Sequence, residues 1–345
     1  MSAAEHKTRV LTPSGLKEVS LKDLPAVLAG LSAASVETTW IHCDPHDVVV
    51  QALDDMGLDE IGVRSLRDGP ERPRVEEFSD HLYVSLFSAD NVLRRKGRRR
   101  PASAGHAAGD SADDPSPSLP KLNDLRLFLG PRWLISVGRF NDDDYRALAE
   151  TVKRQVFSRG RGPSFIAYHI CEWLVETLQP SLEQLDERID SLEDQVVLAT
   201  GESSIQMLFG LKRDLVDLRR RVAPLRDVMQ RLGSHGVVYV DHDAEVYFRD
   251  VHDDVMRVIE LLDTYRDILS SALDLHLSSV SNRLNQVMKQ LTVVATVFMP
   301  LSFIVGLFGT NFTRMPWGSF AWFLVMFVLM FVSVVGILIW TWKRT

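Results

Sequence analysis

The stretch SNRLNQVMKQLTVVATVFMPLSFIVGLFGTN, residues 281–311, decides how the rest of the chain is read. It runs from a helix-patterned segment straight into an apolar span and closes on Gly309-Thr310-Asn311. Residues 291–308 hold no charged side chain, about the minimum needed to cross a hydrocarbon core of roughly 30 Å. A second apolar span, 320–342, carries Trp322 near one end and Trp340 and Trp342 near the other. Indole rings at both ends suit the headgroup layers. A buried hydrophobic hairpin is the bland reading of two such runs, and the length of the second argues against it. Arg283 and Lys289 precede the first span and Lys343 and Arg344 follow the second, which puts both termini on the cytoplasmic side of a cytoplasmic membrane. The loop 309–319 then lies outside and is too short to be a domain.

Within and before the first span, Asn285, Met288, Thr292, Ala295, Met299, Ser302 and Gly306 recur at steps of three and four and so share a helix face. The face mixes small, weakly polar and thioether residues. One explanation is close helix packing through small side chains, common in membranes. The other is a pore wall narrowed at Met288, Leu291 and Met299, able to close by dewetting. Pro300 loosens the helix, which a membrane bundle tolerates. Asn311 likewise has two readings: a turn or capping residue, or one amide of a ring at a pore mouth.

Upstream of the span, helical periodicity persists without Pro or Gly from about Ala244 to Met299, a helix on the order of 80–100 Å long. Alone it would be unstable, so it must lie along partners. Two shorter helices precede it within 161–233. Leu178, Leu182, Leu185, Ile189, Leu192 and Val196 form one seam, and Leu211, Leu215, Leu218, Val222, Leu225 and Met229 form another, interrupted by Pro224. Gly201 and Ser203 supply the turn between them. Glu183, Asp186, Glu187, Asp190, Glu193 and Asp194 line the first helix, either as a solvated face or as a concentrator of cations.

Length and charge set outer limits. The chain has 345 residues, 46% of them hydrophobic, and a formal net charge of −7, which allows two to three folding units. The acidic balance argues against nucleic acid as a partner and is compatible with cations. Met1–Lys7 lacks the apolar core of a signal peptide, and two cysteines, Cys43 and Cys171, give no disulfide framework.

Residues 1–160 read as a cytoplasmic mixed α/β domain, with strand-like runs at 36–42, 81–88, 124–129 and 133–137 and a helix over 47–56. The segment 93–120, basic and then rich in Ala, Gly, Ser, Asp and Pro, cannot bury a core and reads as a disordered hairpin insert. His42-Cys43-Asp44-Pro45-His46-Asp47 has metal-ligand chemistry, but Asp44-Pro45 is also a standard way to begin a helix. No Gly-rich phosphate loop with Lys, no HExxH and no serine elbow is present, so the chain does not read as an enzyme or an ATP-driven pump.

The C-terminal third resembles the CorA family of divalent-cation channels. The resemblance rests on the run from Tyr247 to Asp253, on 277–289, on Leu291-Thr292, Ala295-Thr296 and Phe298-Met299-Pro300-Leu301, and on Gly306, Gly309-Thr310-Asn311-Phe312 and Met315-Pro316. Arg72-Pro73-Arg74-Val75-Glu76 is similar to an early segment of that family. The resemblance implies an α+β homopentamer in the membrane lipid: per subunit an α/β domain, a helical hairpin (161–233), a stalk helix (244–290), a pore-lining span (291–308) and an outer span (320–342). It implies passive transport of Mg²⁺, with Co²⁺ or Ni²⁺ as further cargo, and no cofactor apart from a regulatory Mg²⁺. Gly309, Thr310 and Asn311 become the selectivity filter, and Asn285, Met288, Leu291, Thr292, Ala295, Met299, Ser302 and Gly306 the pore lining. Asp250 and Asp253 become the regulatory metal residues.

Three departures from the family pattern stand out. Thr310 replaces a Met, and the outer loop offers Thr313, Arg314 and Trp317 in place of acidic residues. Arg64 and Ser65 occupy the positions where the family has the acidic partner of Asp250; Asp68, Asp253 or Asp254 could substitute. These departures keep two alternatives open, a zinc transporter of the ZntB branch and a non-conducting membrane scaffold.

Overall fold

The structure is a computed structural model that describes residues 7–32, 37–69, 71–89, 122–198, 202–309 and 320–344. The expected insert at 93–120, Thr310, Asn311 and the outer loop lie outside the described residues. The chain divides into two compact units, residues 1–195 with 201–270 and residues 196–200 with 271–345.

The first unit is built on a seven-stranded sheet of β1 (Thr8–Thr12), β2 (Gly15–Val19), β3 (Thr39–Cys43), β4 (Arg74–Glu77), β5 (Leu82–Ala89), β6 (Leu122–Leu129) and β7 (Trp133–Gly138). Their order is β2-β1-β3-β7-β6-β5-β4. All neighbours run antiparallel except β3 and β7, which pair in parallel from Thr39↔Trp133 to Cys43↔Val137. Strands β3, β5 and β7 are buried along their whole length, so the middle of the sheet is covered on both faces. That is why apolar residues occupy positions of both parities in them, with Thr39, His42, Ser85, Ser88 and Ser136 as buried polar exceptions. Trp40 donates to the Ser136 hydroxyl at 2.9 Å and His42 Nδ1 lies 3.0 Å from the same oxygen, so one serine serves two buried rings.

Four shorter helices cover or border the sheet: α1 (Leu24–Ser32), α2 (Asp47–Asp55), α3 (Glu60–Asp68) and α4 (Asp142–Gln155). Asn141 caps α4 by accepting from Asp144 N at 2.7 Å, with Asp142, Asp143 and Asp144 in its first turn and Lys153 and Arg154 in its last. Charges so placed oppose the helix dipole at both ends. Val49, Leu53, Val63, Tyr83, Phe128 and Ile135 belong to the core beneath.

Long helices follow: α5 (Pro163–Leu198), α6 (Glu202–Leu232), α7 (His242–Phe308) and α8 (Phe320–Arg344). Helix α5 continues through Pro180 and α6 through Pro224. Leu178, Leu182, Leu185, Ile189 and Leu192 are buried along α5, as are Leu211, Leu215, Leu218, Val222, Leu225 and Met229 along α6. The first part of α7 carries a matching seam of Ala244, Phe248, Val251, Val255, Val258, Leu262, Tyr265 and Leu269. Arg219 of α6 holds Asp263 of α7 with two hydrogen bonds, 2.6 and 3.1 Å.

Candidate functional site

Helices α7 and α8 are the two described helices long and apolar enough to cross a membrane, and neither apolar window is buried. On α7 every residue from Ser281 to Thr292 is exposed, all the way round the helix. Beyond Thr292 a partly shielded stripe appears at Val293, Val297, Pro300, Leu301, Ile304 and Phe308; Thr296, also partly shielded, lies at its edge. At 3.6 residues per turn this stripe lies about half a turn from Asn285, Met288, Leu291, Thr292, Ala295, Met299, Ser302 and Gly306. Those eight residues all fall on the open side. Helix α8 has its own partly shielded stripe at Met326, Met330, Ser333, Val334 and Ile337.

The open side has a definite chemistry. Met288, Leu291 and Met299 expose 59%, 62% and 73% of their surface, far more than apolar side chains of a folded chain leave uncovered without reason. Thr292 donates its hydroxyl proton to the Met288 carbonyl at 2.7 Å, and Thr296 donates to the Thr292 carbonyl at 2.7 Å. A hydroxyl so engaged presents acceptor lone pairs outward, the polarity that a cation or its hydration water needs. A Cβ added to Gly306 would meet nothing within 4 Å, so no contact among the described residues requires glycine there. At the end of α7, Gly309 N donates to Val305 O at 2.9 Å, so the helical hydrogen bonding reaches the glycine.

Asp250 and Asp253 sit on α7 in the first unit, both exposed. Asp253 lies 3.2 Å from His252 Nδ1, Asp254 pairs with Arg257 at 2.8 Å, and Asp68 pairs with Arg64 at 3.7 Å. Each carboxylate that could substitute for the missing partner of Asp250 is therefore engaged by a near neighbour in sequence. Burial raises the Asp254 carboxyl above the usual range against the pull of Arg257, with Asp250, Glu172 and Asp253 adding repulsion. Glu172, held by His169 at 3.0 Å and Tyr168 at 2.8 Å, is shifted the other way. Ser65 is buried, bonded to Gly62 O at 2.7 Å and to the Tyr83 hydroxyl at 2.5 Å, and Tyr83 in turn donates to Glu71 at 2.9 Å. Burial pushes the Tyr83 phenol up to about 12. A carboxylate at position 65 would be desolvated beside Glu71, so the small hydroxyl fits this ground better.

The acidic residues Glu183, Asp186, Glu187, Asp190 and Glu193 of α5 are all exposed. The run at 42–47 is structural. His42 is buried and lowered to about 3 by desolvation and Arg9, and burial pushes the Cys43 thiol up to about 12. His46, rather than Asp44, caps α2 by accepting from Val48 N at 3.1 Å, while Asp44 accepts from Lys7 N at 2.9 Å. Among the described residues, the side chains that gather as metal ligands are His235, His242 and Glu245. Sequence reasoning missed them, because burial of Glu245 depends on the tertiary fold.

The chain as a whole has known relatives. A family model described as CorA-like Mg2+ transporter protein matches residues 36–344. The cobalt/magnesium transport protein CorA of Thermotoga maritima is 29% identical over 330 residues, 92% of this chain and 87% of that protein. The zinc transport protein ZntB of Pectobacterium carotovorum is 27% identical over 323 residues, 90% and 88% of the two chains. Among solved structures, the CorA magnesium transporter of Methanocaldococcus jannaschii matches over 100% of this chain and 99% of its own, with a TM-score of 0.72 at 19% identity, a likeness of fold.

Proposed function

The chain belongs to the CorA-like Mg2+ transporter family, and on that premise we propose that it carries divalent cations passively across the cytoplasmic membrane, with Mg²⁺ as the main cargo and Co²⁺ or Ni²⁺ as further ones. The observation that carries this reading is the open side of α7, unshielded from Asn285 to Gly306 and opposite the stripe that is partly covered. In a homopentamer these faces would turn toward one axis and line a water path.

Mg²⁺ gives up its hydration shell reluctantly, so a neutral ring that grips hydration water suits it as a filter. Asn311 amides with the Gly309 carbonyls would form that ring, and Thr310 would alter the packing beneath it. Met288, Leu291 and Met299 would close the path by excluding water when the helices approach, and Thr292 would offer its acceptor oxygen between them. Asp250 and Asp253 are the regulatory positions in this reading. With Arg64 and Ser65 in place of acidic partners, control by internal Mg²⁺ is weak, and Asp250→Ala changes gating only modestly.

The reading is tested by Mg²⁺ influx into proteoliposomes followed with an entrapped indicator. Asn311→Ala is expected to abolish or strongly reduce it. Influx equal to wild type in that variant would favour a scaffold or another route. Zinc as cargo is the second reading, supported by the ZntB relative of similar coverage. Zn²⁺ influx driven by a proton gradient, without Mg²⁺ influx, would establish it instead.

A further inference from the structure

His235 stands in the connection between α6 and α7, His242 opens α7, and Glu245 follows within the first turn. Transport through the open side of α7 gives these residues nothing to do. The Nδ1 atoms of the two histidines approach the same oxygen, Oε2 of Glu245, at 2.5 and 3.2 Å. One ligand atom from each of the three residues lies within 4.8 Å of the others, and the two rings are 5.3 Å apart at a tilt of 30°. The Glu245 side chain is only 6% exposed, whereas His235 and His242 are 75% and 78% exposed. Among the described residues, neither a lysine nor an arginine forms an ion pair with this buried carboxylate. A carboxylate withdrawn from water needs polar partners close by, and two imidazole nitrogens converge on it.

The loop that presents His235 is held from several sides. Gly236 has φ +91°, the left-handed conformation that favours glycine and turns the chain just after the histidine. Val237 and Val240 are buried, the Tyr239 hydroxyl donates to Ser79 O at 2.8 Å, and Ser164 donates to Asp241 at 2.5 Å. The ligand atoms are thus preorganised by a braced loop on one side and a helix turn on the other.

We propose that His235, His242 and Glu245 form a binding site for a transition-metal ion of the zinc, cobalt and nickel class. Two imidazole nitrogens and one carboxylate oxygen suit these borderline ions at about 2.0–2.2 Å and leave a further position to water. The same donors suit Mg²⁺ poorly, since it prefers oxygen ligands in near-octahedral geometry. The site therefore recognises a different class of ion from the main cargo proposed above, and it does not depend on that proposal. An ion seated there would tie the 233–241 loop to the first turn of α7.

The test uses the full-length protein in detergent with Co²⁺ as probe and Mg²⁺ in large excess to fill oxygen-only sites. The expected result is one equivalent of Co²⁺ per chain with the visible absorption of imidazole-ligated cobalt. The double variant His235→Ala, His242→Ala trims two exposed side chains and should lose both the equivalent and the band. Absence of the band from wild type, its persistence in the double variant, or its displacement by Mg²⁺ would each overturn the assignment. Binding is read without transport, so a non-conducting protein tests the site equally well.

Discussion

Helix α7 meets two environments along one run of backbone. From Ala244 to Leu269 it buries a side chain at every third or fourth step, and Arg219 and Lys212 reach it from α6, the latter through Ser270 at 2.9 Å. From Ser281 to Thr292 no described residue buries it, although Leu284, Val287, Met288 and Leu291 are as apolar as anything in the earlier seam. Both parts have helical periodicity; they differ in who supplies the partner. Where the chain supplies it, the stripe is filled. Where it does not, the apolar surface calls for lipid or further copies of the chain.

The largest expected effect lies in the filled part. Phe248 is fully buried among Tyr168 and its neighbours, so Phe248→Ala should cost about 3–5 kcal/mol in urea unfolding. A cost below about 1 kcal/mol would erase the contrast between the two parts. Next comes an acid dependence of the first unit. His42 is held near 3 when folded against 6.5 otherwise, so the unfolded chain binds the extra proton first. The contribution is intact above about 6.5 and is lost as pH falls from there toward 3, by up to about 1.4 kcal/mol per unit. His42→Gln should flatten that slope, measured by unfolding at a series of pH values.

Smaller still is the bridge from α6. Arg219→Ala should cost roughly 0.2–1 kcal/mol, because both it and Asp263 are partly in water. Smallest on chain stability are changes in the uncovered part. Gly306→Leu and Met299→Ala should each stay within about 0.5 kcal/mol in unfolding. In the homopentamer proposed above, Gly306→Leu should nonetheless lower the mass of the detergent-solubilised assembly, and Met299→Ala should raise cation leak through proteoliposomes. If Gly306→Leu destabilises the chain by more than about 2 kcal/mol and leaves the mass of the assembly unchanged, the two parts of α7 are not different in kind.

The sequence made the long elements legible because they need little context. The seams of α5 and α6 and the uncharged spans announce themselves by period and length. Short elements were harder to read. Strand β4 is Arg-Val-Glu-Glu, whose charges suit a sheet edge and hide its strand character. Strands β1 and β2 form a small hairpin with exposed polar residues on its outer member. The open side of α7 could be grouped by spacing, but spacing cannot say which face a neighbour covers. His235 was invisible for another reason: its relation to Glu245 exists only once a loop folds back over a helix start.

The pairing of β5 with β6 has a practical consequence. Their ladder runs from Leu82↔Leu129 to Ala89↔Leu122, so the backbone departs and rejoins the sheet at directly opposed residues, about 4.5–5.5 Å apart. Residues 90–121 are therefore a natural splice point. Exchanging them for an Asn-Gly turn should preserve the ladder register, and a fluorescent reporter with adjacent termini could be grafted there to follow the protein in living cells.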